Sequence, residues 1–248
     1  MDGIDEPIGL DPADVFFGWW VSDGERGALQ AAYRIVVSRG ATGSSELIWD
    51  SKRVPSAEQA FVPYRGPALD SDQVYAWAVQ TWSSRGGPGP LSPPARFETG
   101  LRPGDWVARW IRRPADPGAE PDQYTLARKE FRLAEVPIAR ARAYVSADQQ
   151  YEMYVNGELV GKGQAYSFPD HKYYETLDVT RKLRRGDNAI GILYNWQGPT
   201  KGHPAGEPGV IAQVVVHYED GSKATIVTDG SWRVQRGWWL PGHQRDLE

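Results

Sequence analysis

The chain has no cysteine, two methionines, four histidines, no surplus of basic residues and no apolar run that could cross a bilayer. Each absence removes a class of function. Without cysteine there is no disulfide, no thiolate nucleophile and no cysteine-based zinc site. Four scattered histidines offer little to a histidine-based metal centre. Lys and Arg total 28 against 32 Asp and Glu, a net charge of −4, so the basic footprint of a nucleic-acid or membrane-surface binder is missing. The longest apolar stretch, around residues 15–21, is interrupted by Gly18 and falls far short of the roughly 20 residues of a spanning helix. The acidic start, Met1-Asp2-Gly3-Ile4-Asp5-Glu6, lacks the basic and apolar regions of a signal peptide. Together with the missing cysteines, it sets the expectation of a cytoplasmic protein. Asn156, Asn188 and Asn195 all stand outside Asn-x-Ser/Thr sequons.

Helical periodicity is scarce too: no long segment repeats apolar residues at i, i+3, i+4 and i+7. What the chain does have is aromatics and turn formers, with 11 Trp and 12 Tyr beside 27 Gly and 19 Pro. That composition reads as short strands joined by many turns. Ring faces stack on the C–H faces of pyranoses, so such domains often bind sugars. The same residues also fill the cores of β-sandwiches.

Strand signals fill the first hundred residues. Tyr33, Ile35 and Val37 alternate after Gln30-Ala31-Ala32, and residues 74–82 form a β-prone run with Tyr75, Trp77 and Val79 on one face. Arg96-Phe97-Glu98-Thr99 closes the region, after a Pro/Gly-rich loop over 86–94. Gly100, Pro103 and Gly104 then break regular structure. This predicts an immunoglobulin/fibronectin-III-like sandwich over residues 1–104. Two hairpins stand out in the next region. Residues 151–155 turn at Asn156-Gly157 into 158–160, and residues 214–218 turn near Asp220-Gly221 into 223–227. Both dipeptides suit type I′ turns, where both central residues need φ > 0. One helical turn is expected at 178–183, capped by Asp178 or Thr180. So many antiparallel strands predict a jelly-roll β-sandwich over 105–240, with a tail at 241–248. The whole chain is thus expected to be all-β.

These segments resemble the N-terminal part of bacterial α-L-rhamnosidases. Gln30 to Val37 is similar to that family's QxAYRIxV opening, and Trp49-Asp50-Ser51, residues 74–79 and Phe97 to Leu101 follow in order. Asp105-Trp106, Trp110-Ile111, Arg128-Lys129-Glu130-Phe131, Tyr151-Glu152 with Asn156-Gly157 and Val160-Gly161, Asp178-Val179-Thr180, Asn188 to Gly191, Asp220-Gly221 and Asp229 to Trp232 continue the pattern. The resemblance implies a fibronectin-III-like domain and a jelly-roll domain, followed in the whole enzyme by a catalytic (α/α)6 barrel. It also implies removal of terminal α-L-rhamnose by inversion. An inverting site needs two carboxyl groups about 6.5–9.5 Å apart. The resemblance puts these in the barrel, so no carboxylate of this chain is carried over as catalytic, and the chain alone is expected to be inactive. Two segments depart from the pattern, at Asp148-Gln149-Gln150 and at Asn195 to Gly202.

Candidate sites come from two loops. The long loop at 195–209 carries Trp196, Gln197 and His203; Trp196 would stack on a sugar while Gln197 or His203 bonds its hydroxyls. The other reading of that loop is packing against the next domain of a full enzyme. The segment 166–174 offers Tyr166, Asp170 and His171. Related family modules hold rhamnose through calcium, which makes Asp148 and Asp170 its candidate ligands here, although no EF-hand spacing is present. Asn156 reads as a turn residue. Arg109, Arg112, Arg113, Arg128, Arg140 and Arg142 read as a solvated strand face rather than as a site for acidic polysaccharide. Of the adjacent Trp238 and Trp239, one is expected to face a missing domain.

The expected function is therefore a scaffold and carbohydrate-binding module in the non-catalytic region of an α-L-rhamnosidase. Its partners would be a rhamnose-containing glycoside or polysaccharide and the catalytic domain of the same polypeptide, with no nucleic acid and no membrane. The alternative is a standalone lectin-like protein.

Overall fold

The computed structural model describes residues 5–22, 26–41, 46–114, 122–164, 168–199 and 206–237. The chain divides into two compact units, Met1–Asp105 and Trp106–Glu248. Both are built from antiparallel strand pairs, as the lack of helical periodicity predicts. The only helical element among the described residues is a short 3-10 turn at Pro103–Asp105.

The first unit is an immunoglobulin-like sandwich. A four-stranded sheet runs in the order β3 (Leu47–Asp50), β2 (Gln30–Arg39), β5 (Val74–Ser83), β6 (Ala95–Glu98). Across the core, β1 (Phe16–Phe17) pairs with β4 (Val62–Pro63). Tyr33, Ile35 and Val37 of β2 and Tyr75, Trp77 and Val79 of β5 share one buried face with Phe17, Val62 and Phe97. Alternation with period two puts them there. Tyr75 stacks on Phe97 at 5.3 Å, and Phe17 meets Trp77 at 4.8 Å between ring centroids.

The second unit is a two-sheet sandwich. Its five-stranded sheet has the order β10 (Glu158–Gln164), β9 (Gln150–Val155), β12 (Gly186–Trp196), β7 (Gln123–Leu133), β15 (Arg233–Arg236). Its four-stranded sheet has the order β11 (Glu175–Asp178), β8 (Ile138–Asp148), β13 (Gly209–Tyr218), β14 (Lys223–Val227). Strand β8 turns Ala141, Ala143, Val145 and Ala147 inward, and β13 turns Val210, Ala212, Val214 and Val216 inward. The facing sheet supplies the larger Tyr151, Met153, Ile190, Ile192 and Tyr194. Small side chains on one sheet leave room for rings from the other.

The outer face of the four-stranded sheet is buried as well, because the segment entering the unit lies across it. The Val107 and Ala108 amides donate to Gln213 Oε1 at 2.8 and 3.2 Å. The Arg109 amide donates to the Thr228 carbonyl at 2.8 Å, and the Thr228 hydroxyl donates back to the Arg109 carbonyl at 2.7 Å. Trp106 meets Tyr174, which meets Tyr144, in successive edge-to-face contacts. Polar residues on this face are therefore enclosed. Arg142 is buried and pairs with Asp178 at 2.6 Å, which corrects the solvated reading for that arginine, whereas Arg109, Arg112 and Arg128 are exposed as expected.

At Asn156-Gly157 both residues have positive φ, 52° and 87°, as a type I′ turn requires. Asp220-Gly221 differs. Only Gly221 has positive φ, 84°, and its amide donates to the Tyr218 carbonyl at 3.1 Å. The hairpin is the expected one, but its turn is longer, and the Asp220 carboxylate accepts from the Ser222 amide at 2.9 Å. At 178–183 the chain makes a single turn. The Leu183 amide reaches the Val179 carbonyl at 3.1 Å, and Asp178 accepts from the Thr180 amide at 3.0 Å.

Candidate functional site

Antiparallel register gathers the long loops of the second unit at one end of its sandwich. Asp148 at the end of β8 faces Gly209 at the start of β13, and Asn195 near the end of β12 faces Gln150 at the start of β9. Side chains from three of these loops meet there.

Asp148 sits at the centre. Its side chain is 2% exposed. One oxygen, Oδ1, accepts from the ammonium of Lys172. The other, Oδ2, is buried and has no hydrogen-bond partner among the described residues. Gly206 leaves space beside it: a Cβ at that position would stand 3.2 Å from Oδ2 and 3.5 Å from the Lys172 nitrogen. Trp196 holds this glycine in place, its indole N–H donating to the Gly206 carbonyl at 3.1 Å. The residue after Asp148, Gln149, joins β8 to β9, is buried and ties down the same loop. Its Oε1 accepts from the Gln197 amide at 2.6 Å, and its Nε2 donates to the Gly198 carbonyl at 3.2 Å. The half-buried Trp196 ring is thus fixed at both its indole nitrogen and its following backbone.

Beneath this cluster the Tyr151 hydroxyl donates to the Glu175 carboxylate. Burial, and then the negative charge of Glu175, push the Tyr151 hydroxyl far above its ordinary pKa. It stays a neutral donor throughout the usual pH range. Gly163 makes room for the pair, since a Cβ there would fall 1.9 Å from the Tyr151 ring.

The structure brings together Asp148, Trp196 and Gln197. Asp170 and His171 lie in a tight turn, where the His171 amide donates to the Phe168 carbonyl at 3.0 Å. Their side chains are 79% and 80% exposed and 3.4 Å apart. Tyr166 and His203 lie outside the described residues, as do Trp238 and Trp239. Asp148 and Asp170 do not make a calcium ligand set in this arrangement. Calcium takes six to eight oxygens. Here the ammonium of the partly exposed Lys172 already occupies one oxygen of Asp148, Asp170 faces solvent, and no group of three His, Asp or Glu gathers among the described residues.

The 166–174 segment and the departure at Asp148-Gln149-Gln150 point to this region, but not to the pairing of Lys172 with Asp148, the loop bonds of Gln149, the place of Gly206, or the exposure of the Phe168 and Tyr173 rings, 65% and 70%. Tyr173 is anchored by its backbone, whose carbonyl accepts from the Ser146 hydroxyl at 2.6 Å. The departure at Asp148-Gln149-Gln150 was the available signal, because the two enclosed polar residues of the site fall within it.

Two family models match the chain. The Rha78A-like, N-terminal immunoglobulin domain covers residues 1–103, and the alpha-L-rhamnosidase N-terminal domain covers residues 136–242. The chain carries the N-terminal domains of the α-L-rhamnosidase family. It is 31% identical over 255 residues to an α-L-rhamnosidase of Formosa agariphila, covering 94% of this chain and 27% of that protein. A Streptomyces avermitilis α-L-rhamnosidase is 29% identical, with 94% and 24% covered. The solved α-L-rhamnosidase of Dictyoglumus thermophilum superposes with a TM-score of 0.81 at 32% identity, over 94% of this chain and 28% of that one. The enzyme of Aspergillus terreus gives 0.77 at 27% identity over the same shares. The chain therefore spans about a quarter of the α-L-rhamnosidases it matches.

Proposed function

We propose that this chain is the non-catalytic N-terminal region of an α-L-rhamnosidase, and that its second domain recognises carbohydrate at the loop end of the sandwich. The parent enzyme would hydrolyse terminal α-L-rhamnose glycosides. The family domains and the quarter-length match to α-L-rhamnosidases support this reading over a standalone lectin-like protein. The observation that carries sugar recognition is Asp148 Oδ2, a buried acceptor lacking a donor among the described residues, beside a fixed tryptophan ring. Leaving such an atom unsatisfied costs about 1–3 kcal/mol. An incoming sugar hydroxyl would remove that cost, and Trp196 would offer a face for the ring.

Calorimetric titration with L-rhamnose and rhamnosyl oligosaccharides, in calcium and in chelator, tests the assignment. Binding in both conditions, weakened by Asp148→Asn, is the expected result. Binding only with calcium would overturn the direct role of Asp148. Binding in neither would leave the domain a scaffold.

A further inference from the structure

Among the described residues, the outer face of the five-stranded sheet is exposed around Arg128 and Arg233, whereas that of the four-stranded sheet is covered. Two adjoining hollows of about 820 and 540 Å³ run along it and share Arg128, Tyr154 and Gly191. These residues have the opposite parity to the core residues Ala127, Met153 and Ile190, so they point away from the sandwich interior. Gly191 lies in register between Arg128 on β7 and Tyr154 on β9. With no side chain, it forms a floor between a guanidinium wall and an aromatic one.

One pairing on this face works against stability. Arg233 of β15 stands directly opposite Arg128 of β7. Like charges directly opposite on neighbouring strands repel. Arg128 reaches Glu130, but both side chains are about two-thirds exposed, at 64% and 65%, and such pairs contribute little. Arg233 is exposed and has no ion pair among the described residues. Two guanidiniums held side by side above a groove with an aromatic wall form a fork for an anion.

We infer that this groove is a second saccharide site that takes a carboxylate-bearing sugar, a uronic acid unit. Arg128 and Arg233 would bind its carboxylate in bidentate fashion. The pyranose would lie over Gly191 beside Tyr154. The choice of a sugar rests on the carbohydrate-recognition reading; the residues and the charge preference belong to this face alone.

The test is calorimetric titration of the 248-residue chain with short oligogalacturonates and with their neutral methyl esters. The acid form should bind and the ester should not, with affinity falling as salt rises. Arg128→Gln and Arg233→Gln should each weaken the acid form by roughly tenfold. Neither variant should lower the melting temperature, since each removes a like-charge contact. Trp196→Ala should leave oligogalacturonate binding unchanged. Absent binding, equal affinity for acid and ester, or binding untouched by both arginine variants would overturn the site. Rhamnoside binding that is lost in Trp196→Ala and kept in Arg233→Gln would show the loop-end reading standing independently of this result.

Discussion

The two ends of the second sandwich both bury polar side chains, but they satisfy them differently. At the turn end the network is closed. Asn156 Nδ2 donates to the Lys182 carbonyl at 2.8 Å and to Asn188 Oδ1 at 2.9 Å, while its Oδ1 accepts from the Ala189 amide at 2.9 Å. Asn188 in turn bonds the Arg184 and Gly186 carbonyls at 2.7 and 2.9 Å. Asn156 is thus more than a turn residue: it ties the first hairpin to the 182–189 connection. At the loop end the network is open, because Asp148 Oδ2 has no donor among the described residues. A closed buried network rigidifies a fold, and an open one is costly unless something else completes it. This difference separates structural polar residues from candidate functional ones.

The largest effect should come from breaking the loop-end ion pair. Lys172→Met would leave Asp148 buried without its cation, and removing one partner of an enclosed pair costs about 3 kcal/mol. Denaturant unfolding reads this directly. A loss under about 1 kcal/mol would mean that Asp148 is stabilised by groups other than Lys172, and the loop end would not be open in the sense argued.

At the turn end, Asn156→Gly keeps the positive φ and deletes three hydrogen bonds, for an expected loss of about 2 kcal/mol. Asn156→Ala adds backbone strain of about 1 kcal/mol. Sugar binding should be unchanged in both variants. A drop in affinity in folded Asn156→Gly would dissolve the distinction between the two ends.

These two sites also show what could be read before the fold was known. Asn156-Gly157 was legible because both residues must adopt positive φ, a local demand written in two neighbouring letters. Asp220-Gly221 marked its hairpin but not its turn, because Asp220 stays outside the positive-φ region and only Gly221 needs it. Trp196 and Asp148 were visible as an aromatic and an acid near loops. Lys172 as the partner of Asp148 was not, since 24 residues separate them and only the packing of the 168–174 segment joins them. The cover over the four-stranded sheet escaped too. Residues 106–111 bind it largely through backbone amides and carbonyls, which leave no periodicity in side-chain type.

Trp196→Ala sharpens the comparison from the ligand side. If the ring is a sugar platform, affinity should weaken by about 1 kcal/mol or more while the domain stays folded. Calorimetry paired with thermal melting separates the two readouts. Unchanged affinity in a folded variant would remove Trp196 from the site and leave Asp148 with the exposed Phe168 and Tyr173 as its remaining elements.

The smallest effect belongs to the turn end at low pH. Burial works to raise the Asp178 pKa, but the hydroxyl and amide of Thr180 and the charges of Arg142 and Arg181 outweigh it and hold the carboxyl below its ordinary value. A carboxyl whose folded pKa is depressed adds stability above its unfolded value, about 3.9, and loses it as pH falls through the folded value. The side chain is 57% exposed, so solvent screens the interaction and the contribution at neutral pH is under about 1 kcal/mol. Asp178→Asn should lower stability by that amount at pH 7. The gap to the parent should close as pH falls below about 4, where the parent begins to lose the charge that the variant never had. A gap that persists through acid would mean that Asp178 acts through its shape and its bond from the Thr180 amide alone, with no part played by its charge beside Arg142.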